Sequence, residues 1–174
     1  MLSQLVPIVL FTHNRPRHTQ QTIESLMKND GASGSELFVF SDGGKNEEDW
    51  NKVQKVREYL KTVSGFKKIE IFESKYNKGL TNSIVDGVTE IINKYGKIIV
   101  LEDDMVTSKY FLRYMNDALE LYEHDEAVAC ITGYVYPIEN LPETFFIKTG
   151  DCWGWATWKD SWNHFEIDGE KLLN

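Results

Sequence analysis

The sequence predicts an α/β fold, a Rossmann-like and mostly parallel sheet with helices on both faces. Three observations carry that expectation. Short apolar runs alternate with segments of helical period over the first two-thirds of the chain. The first run, Val6 to Phe11, is apolar almost without interruption, the pattern of a strand buried on both faces. The 174 residues are enough for one core, so no disulfide framework is needed, and only Cys130 and Cys152 are present.

The elements follow in order. Pro16 opens the first helix, where its missing N–H costs nothing, and Ile23, Leu26 and Met27 form its apolar face. Asn29-Asp30-Gly31 closes it. Leu37 to Phe40 is the second strand, ending at Ser41-Asp42-Gly43-Gly44. Val53, Val56, Tyr59, Leu60 and Val63 mark one stripe of the second helix, and Ile69 to Phe72 is the third strand. Leu80, Ile84, Val85, Val88, Ile91 and Ile92 mark the third helix, which stops near Gly96. Ile98 to Leu101 is the fourth strand, and it runs directly into Glu102-Asp103-Asp104. A helix from about Ser108 to Tyr122 follows, with Ser108 as N-cap and Phe111, Met115, Leu119 and Tyr122 facing inward. Val128 to Ile131 is a fifth strand. Beyond Gly133 the rhythm breaks: Thr144 to Lys148 reads as a strand, and Trp155, Trp158 and Trp162 share one face of a helix.

Charge narrows the function. The formal net charge of -8 argues against a nucleic-acid partner, which needs clustered Lys and Arg. The excess is local: from Glu102 to Glu126 eight acids face Lys109 and Arg113, a net of -6. No apolar run approaches the ~20 residues of a transmembrane segment. The N-terminal LVPIVLF has no basic stretch before it, so it reads as a strand rather than a signal peptide. A cytoplasmic location is the default expectation, with peripheral membrane association left open.

Open α/β sheets bind ligands outside the carboxyl ends of their strands. Those loops carry Thr12 to Arg15, Ser41-Asp42, Tyr76 to Gly79 and Glu102 to Asp104. Three adjacent carboxylates repel, and a hard divalent cation such as Mg²⁺ or Mn²⁺ would reverse that; a solvated acidic turn has the same spacing. Asp42 stands where such folds place an acid for a ribose hydroxyl or a base N–H, and equally where an Asx turn would enter Gly43-Gly44. Arg15 and Lys78 are candidates for diphosphate contacts, or surface charges. The glycine loops match neither a P-loop nor G-x-G-x-x-G, so phosphate would be held by metal and side chains. His13 and His18 have the wrong spacing for one helix face and read as polar loop residues, not a zinc pair. Trp153, outside the tryptophan stripe, would line a crevice where a sugar face stacks.

With those residues in view, the chain resembles nucleotide-sugar-dependent glycosyltransferases of the GT-A fold, family 2-type bacterial sugar transferases and the N-acetylglucosaminyltransferase I group among them. The matching segments span about residues 6 to 165: PIVLFTHNRPRHTQQTIESL, FVFSDGG, NKGLTNSIVDGV, IIVLEDDM and DCWGWATWKDSW. The resemblance implies a single domain, 1–174, with a nucleotide-binding α/β part to about 133 and the start of an acceptor-side part from 134. It implies that Thr12, Asn14 and Arg15 border the nucleotide, Asp42 binds base or ribose, and Asn77 and Gly79 form part of the donor pocket. Glu102 and Asp103 would contact ribose and sugar, and Asp104 would ligate Mn²⁺ or Mg²⁺. Trp153, Gly154 and Trp155 would lie on the sugar and acceptor side. The partners implied are a nucleoside-diphosphate sugar, UDP-linked by resemblance, and a glycan or lipid-linked acceptor, with inversion at the sugar.

In such enzymes the carboxylate that deprotonates the acceptor lies downstream of the WGW segment. Asp160 and Asp168 are in range but outside the expected motif, so the base is expected beyond Asn174, in a longer transferase of which 1–174 is the donor-binding part. The alternatives are a nucleotide-sugar-binding module without a base, and a sugar nucleotidyltransferase. The latter would want a glycine-rich loop after the first strand, and THNRPRH has none.

Overall fold

The computed structural model describes residues 5–173. Four parallel strands form the body of one sheet: β1 (Ile8–Thr12), β2 (Glu36–Ser41), β3 (Lys68–Glu73) and β4 (Lys97–Glu102). Between them run α1 (Pro16–Met27), α2 (Glu47–Leu60) and α3 (Leu80–Tyr95), and after them come α4 (Phe111–Leu121) and β5 (Cys130–Thr132). A last strand, β6 (Trp155–Trp158), and one helical turn, α5 (Lys159–Trp162), complete the regular structure before a closing 3₁₀ turn at Gly169–Leu173. The sheet order is β3-β2-β1-β4-β6-β5.

Alternation along the strands sorts the core into two layers. Ile8 and Leu10 of β1 face the layer of Ile23, Leu26, Val56, Leu60 and Met115, from α1, α2 and α4. Val9 and Phe11 face Val88, Ile91 and Ile92 of α3. The sheet grows outward from β1 in one direction with α1 and α2 on one face. It then reverses to β4, and α3 must cross the opposite face to keep the same crossover hand. The reversal opens a crevice at the carboxyl ends of β1 and β4.

Two glycines shape α3. On α3, a Cβ at Gly87 would lie 2.8 Å from the Phe11 ring and 3.1 Å from Phe40, so only glycine lets the helix seat on those rings. Phe40 stacks in turn on Phe72, with centroids 4.6 Å apart. At the end of α3, Gly96 takes the left-handed conformation at φ +81° and caps the helix, as its sequence position predicts.

Several expectations are corrected. Trp155 and Trp158 lie in a strand, and their odd spacing sends them to opposite faces: Trp158 into the α4 layer, Trp155 against Trp162 on the α3 side. Only Trp162 of that trio is helical. Residues 144–148 form no strand; they are exposed and pair with no ladder. Met27 and Leu80 do not face inward; they are exposed. Ser108 does not cap α4. The Leu112 N–H is instead taken by Oδ1 of Asn29 at 2.9 Å, so a residue at the end of α1 does the capping from across the fold. Nδ2 of the same buried Asn29 donates to the Thr107 hydroxyl at 3.0 Å, fixing the segment that follows the acids.

Candidate functional site

The crevice is built first from Asp42, just beyond β2. Its carboxylate is buried and accepts four hydrogen bonds: Oδ1 from the N–H of Gly43 and of Lys78, both at 2.8 Å, and Oδ2 from the N–H of Gly79 at 3.0 Å and from Asn77 Nδ2 at 3.1 Å. A carboxylate has about four lone-pair sites, so this one is fully used in folding the β3–α3 loop against β2. Gly79 has φ +79°, the conformation that turns the chain from that loop into α3. Asn77 also donates to the Gly43 carbonyl at 2.8 Å.

The β1–α1 loop closes the other side. The His13 ring nitrogen Nε2 lies 3.1 Å from the Gly43 carbonyl, bridging β1 to the glycine turn. Asn14 donates to Asp49 in the first turn of α2 at 2.7 Å. Thr12 ends β1 beside Ser41, and its buried hydroxyl has no hydrogen-bond partner among the described residues. Of the two candidate cations, Arg15 turns to the acids, while Lys78 pairs with Asp86 of α3 at 2.9 Å. His18 is exposed on α1, apart from His13 in role.

The three acids differ in environment. Glu102 ends β4 half-buried, Asp103 is buried with Oδ2 accepting the His13 N–H at 3.2 Å, and Asp104 is exposed. Arg15 donates to Asp104 at 2.7 Å and stands 3.6 Å from Asp103. Burial pushes the Asp103 carboxyl up, and burial followed by the charges of Asp104 and Asp103 pushes Glu102 up. One guanidinium therefore leaves negative charge uncompensated at this point, which suits a divalent cation. Among the described residues, no group of three or more His, Cys, Asp or Glu side chains assembles as a ligand cage. An ion held by one or two carboxylates would complete its shell with phosphate and water, the habit of Mg²⁺.

The raised carboxyl values make a pH prediction. A carboxyl whose folded pKa exceeds its ordinary value, 3.8 for Asp103 and 4.5 for Glu102, contributes stability below that ordinary value and loses it as pH rises through the raised one. Asp103→Asn should therefore raise Tm at pH 7, by roughly 2–4 °C per kcal/mol recovered. The gain should vanish below about pH 4, where the native acid is protonated. The amide oxygen still accepts the His13 N–H, so paired thermal melts isolate the charge. A lower Tm at pH 7 contradicts the assignment.

Beyond the acids lies a cleft of about 410 Å³, bounded by Asp104, Met105, Phe111, Tyr134, Trp153 and Gly154 among others. Trp153 meets Tyr134 at a centroid distance of 4.7 Å and Tyr136 at 6.0 Å, an exposed aromatic cluster. Gly154, at φ +75°, passes under Phe111 on the way into β6. Trp155 turns to the opposite face and does not line this cleft. Thus Thr12 to Arg15, Asp42, Asn77, Gly79 and the acids converge at one sheet edge, with Trp153 and Gly154 on the far side of Asp104. His13, read from its spacing as a polar loop residue, turns its ring onto the glycine turn. Its place directly after the strand end is the signal in the sequence that points to this contact.

A sheet of this order, with a polar crevice at its switch point, is the Rossmann-like GT-A fold. Residues 8–167 match the glycosyl transferase family 2 profile, and the chain belongs to that family. The mannosyltransferase PcManGT from Pyrobaculum calidifontis, in complex with GDP-Man and Mn²⁺, has a TM-score of 0.51 at 12% identity, over 72% of this chain and 34% of that one. TarS of S. aureus is also similar. Its 1–349 form in complex with UDP has a TM-score of 0.48 at 15% identity, over 76% of this chain and 38% of that one. This chain spans a fifth of the longer TarS structure and about a third of PcManGT. Among the described residues no helix is long and apolar enough to cross a membrane.

Proposed function

We propose that this chain holds the donor site of a glycosyltransferase that moves a sugar from a nucleoside diphosphate to a hydroxyl of a glycan or lipid-linked acceptor, with inversion. The observation that carries the reading is the convergence of Arg15, the Asp42-held loop and the three acids at the carboxyl ends of β1, β2 and β4. Thr12, Asn14 and the loop of Asn77 and Gly79 would border the nucleotide. Asp42 would serve it chiefly by shaping that loop, since its oxygens are already taken. Arg15 is a half-exposed cation that would leave the acids for a diphosphate. Asp104, exposed at the mouth, is the residue that would hold Mn²⁺ or Mg²⁺, with Glu102 and Asp103 behind it toward ribose and sugar. A bound cation would supply charge stabilisation for the leaving diphosphate. Trp153 and Gly154 would face the sugar and acceptor across the cleft, whose rings suit the apolar face of a pyranose. The GDP-Man and Mn²⁺ bound by PcManGT support a metal-assisted nucleotide-sugar chemistry on this fold, while resemblance in sequence favours UDP.

Calorimetric titration with UDP and with GDP, each with and without Mn²⁺, tests the reading. Binding should require Mn²⁺, and Asp104→Ala should remove about 2 kcal/mol or more of metal-dependent affinity, a factor of roughly 30. Metal dependence retained in Asp104→Ala, or no binding of either nucleotide by a folded chain, counts against it.

A further inference from the structure

We infer that Arg57 is a positioning residue of the donor site, acting from behind it through the backbone of the two loops that shape it. Arg57 lies in α2 on the same stripe as Val53, Val56 and Leu60, and it is buried. Its guanidinium is spent almost wholly on strand ends. Nε donates to the Ser41 hydroxyl at 3.1 Å, and Nη2 to the carbonyls of Ser41 at 3.1 Å, Asp42 at 3.4 Å and Ser74 at 2.8 Å. Nη1 stands 3.5 Å from Glu73, at the end of β3. The ring of Trp50, two turns earlier on α2, lies beneath the guanidinium, 5.2 Å from its carbon to the ring centroid.

A helix interior has no need of such a group, and a charge of this kind is rarely buried unless it is fully paired. What the fork accomplishes is geometric. It ties the last residues of β2 to the first residue after β3, the two points from which Asp42 and the Tyr76–Gly79 loop depart. The Ser74 N–H also donates to the Ser41 carbonyl at 3.0 Å, and the fork reinforces that junction, so that Asp42 meets the N–H groups of Lys78 and Gly79 from a fixed spacing. The planar fork reaches the Ser41 hydroxyl through Nε, the strand-end carbonyls through Nη2 and Glu73 through Nη1, a spread of three nitrogens that an ammonium on a flexible stem does not reproduce. The role deepens the donor-site reading and rests on it for its functional meaning, while the loop geometry itself is independent of any ligand.

Amide hydrogen exchange of the full chain, read at Lys78 and Gly79, tests the geometry without a ligand. Arg57→Met and Arg57→Lys should each speed exchange at these two amides by about tenfold or more, with core amides such as Leu10 and Ile99 moving far less. Nucleotide affinity in the presence of Mn²⁺ should fall by a similar factor, and Lys should fail to restore it. Wild-type exchange at Lys78 and Gly79 in both variants overturns the inference, as does full rescue by Lys, which would leave only a charge role. Ser41→Ala removes one partner of the fork with little risk to folding; it should speed the same two amides by roughly threefold, and no change there also overturns the inference. If the wild-type chain binds no nucleotide, the donor-site reading fails, yet the exchange result still decides the role of Arg57.

Discussion

Asp42→Ala is expected to unfasten the β3–α3 loop and to lower nucleotide affinity by about 100-fold, close to 3 kcal/mol. The substitution strips the acceptor from three backbone N–H groups and from the Asn77 amide. Hydrogen bonds to an ionised acceptor are among the stronger ones, at about 1.5–3 kcal/mol each, and water recovers part of the loss in a loop only half-buried. A net stability cost of about 3 kcal/mol follows, or roughly 6–12 °C in Tm for a chain of this size. Asp42→Asn should be nearly as harmful. One of its two oxygens becomes an amide NH₂ facing donors, so at least one N–H of the loop meets a repulsive partner. Scanning calorimetry and nucleotide titration on the two variants check this; wild-type melting with unchanged affinity would show that the loop holds itself.

Gly43→Ala acts on the same junction by volume. A Cβ there would lie 2.5 Å from the Tyr76 carbonyl carbon, 2.6 Å from its oxygen and 2.9 Å from its Cα. All three are backbone atoms, so no rotamer change relieves the contact; the glycine turn and the β3–α3 loop must move apart. Overpacking of this kind costs about 1–3 kcal/mol, and here the movement also lengthens the Asp42 bonds to Lys78 and Gly79. The variant should lose stability in urea melts and lose nucleotide binding together. Gly150→Ala is the matched control: among the described residues no atom outside its chain neighbours lies within 4 Å of its added Cβ, and its effect should stay within about 0.5 kcal/mol. Equal stability of the two variants would remove Gly43 from the site's architecture.

The parallel half of the fold was legible because its strands are doubly buried and so read as plain apolar runs. Ile8, Val9, Leu10 and Phe11 all pack, on alternate faces. β6 was not legible, for a reason that lies in its length. Four residues with Trp at each end satisfy a helical spacing as well as a strand, and only pairing with Lys97–Val100 and Cys130–Thr132 decides between them. The place of the candidate site was legible from the strand-end rule, which gathers Arg15, Asp42, Asn77 and the acids at one end of the sheet. Their connections were not. That Asp42 spends both oxygens on the neighbouring loop, or that Arg15 leans on Asp104 while Lys78 turns to Asp86, depends on loop conformation that no periodicity encodes.

The placing of β6 between β4 and β5 also decides what the edge of the sheet depends on. β4 pairs with β1 on one side, while its other edge is covered by Trp155–Trp158, and β5 reaches the sheet through that same segment. That pairing closes a chain excursion through α4 and the aromatic segment, a loop whose entropic cost grows only slowly with its length. Without β6 the flank of β4 would be a bare template for another chain. The tryptophan strand is thus a seal on the sheet as well as a support for the cleft.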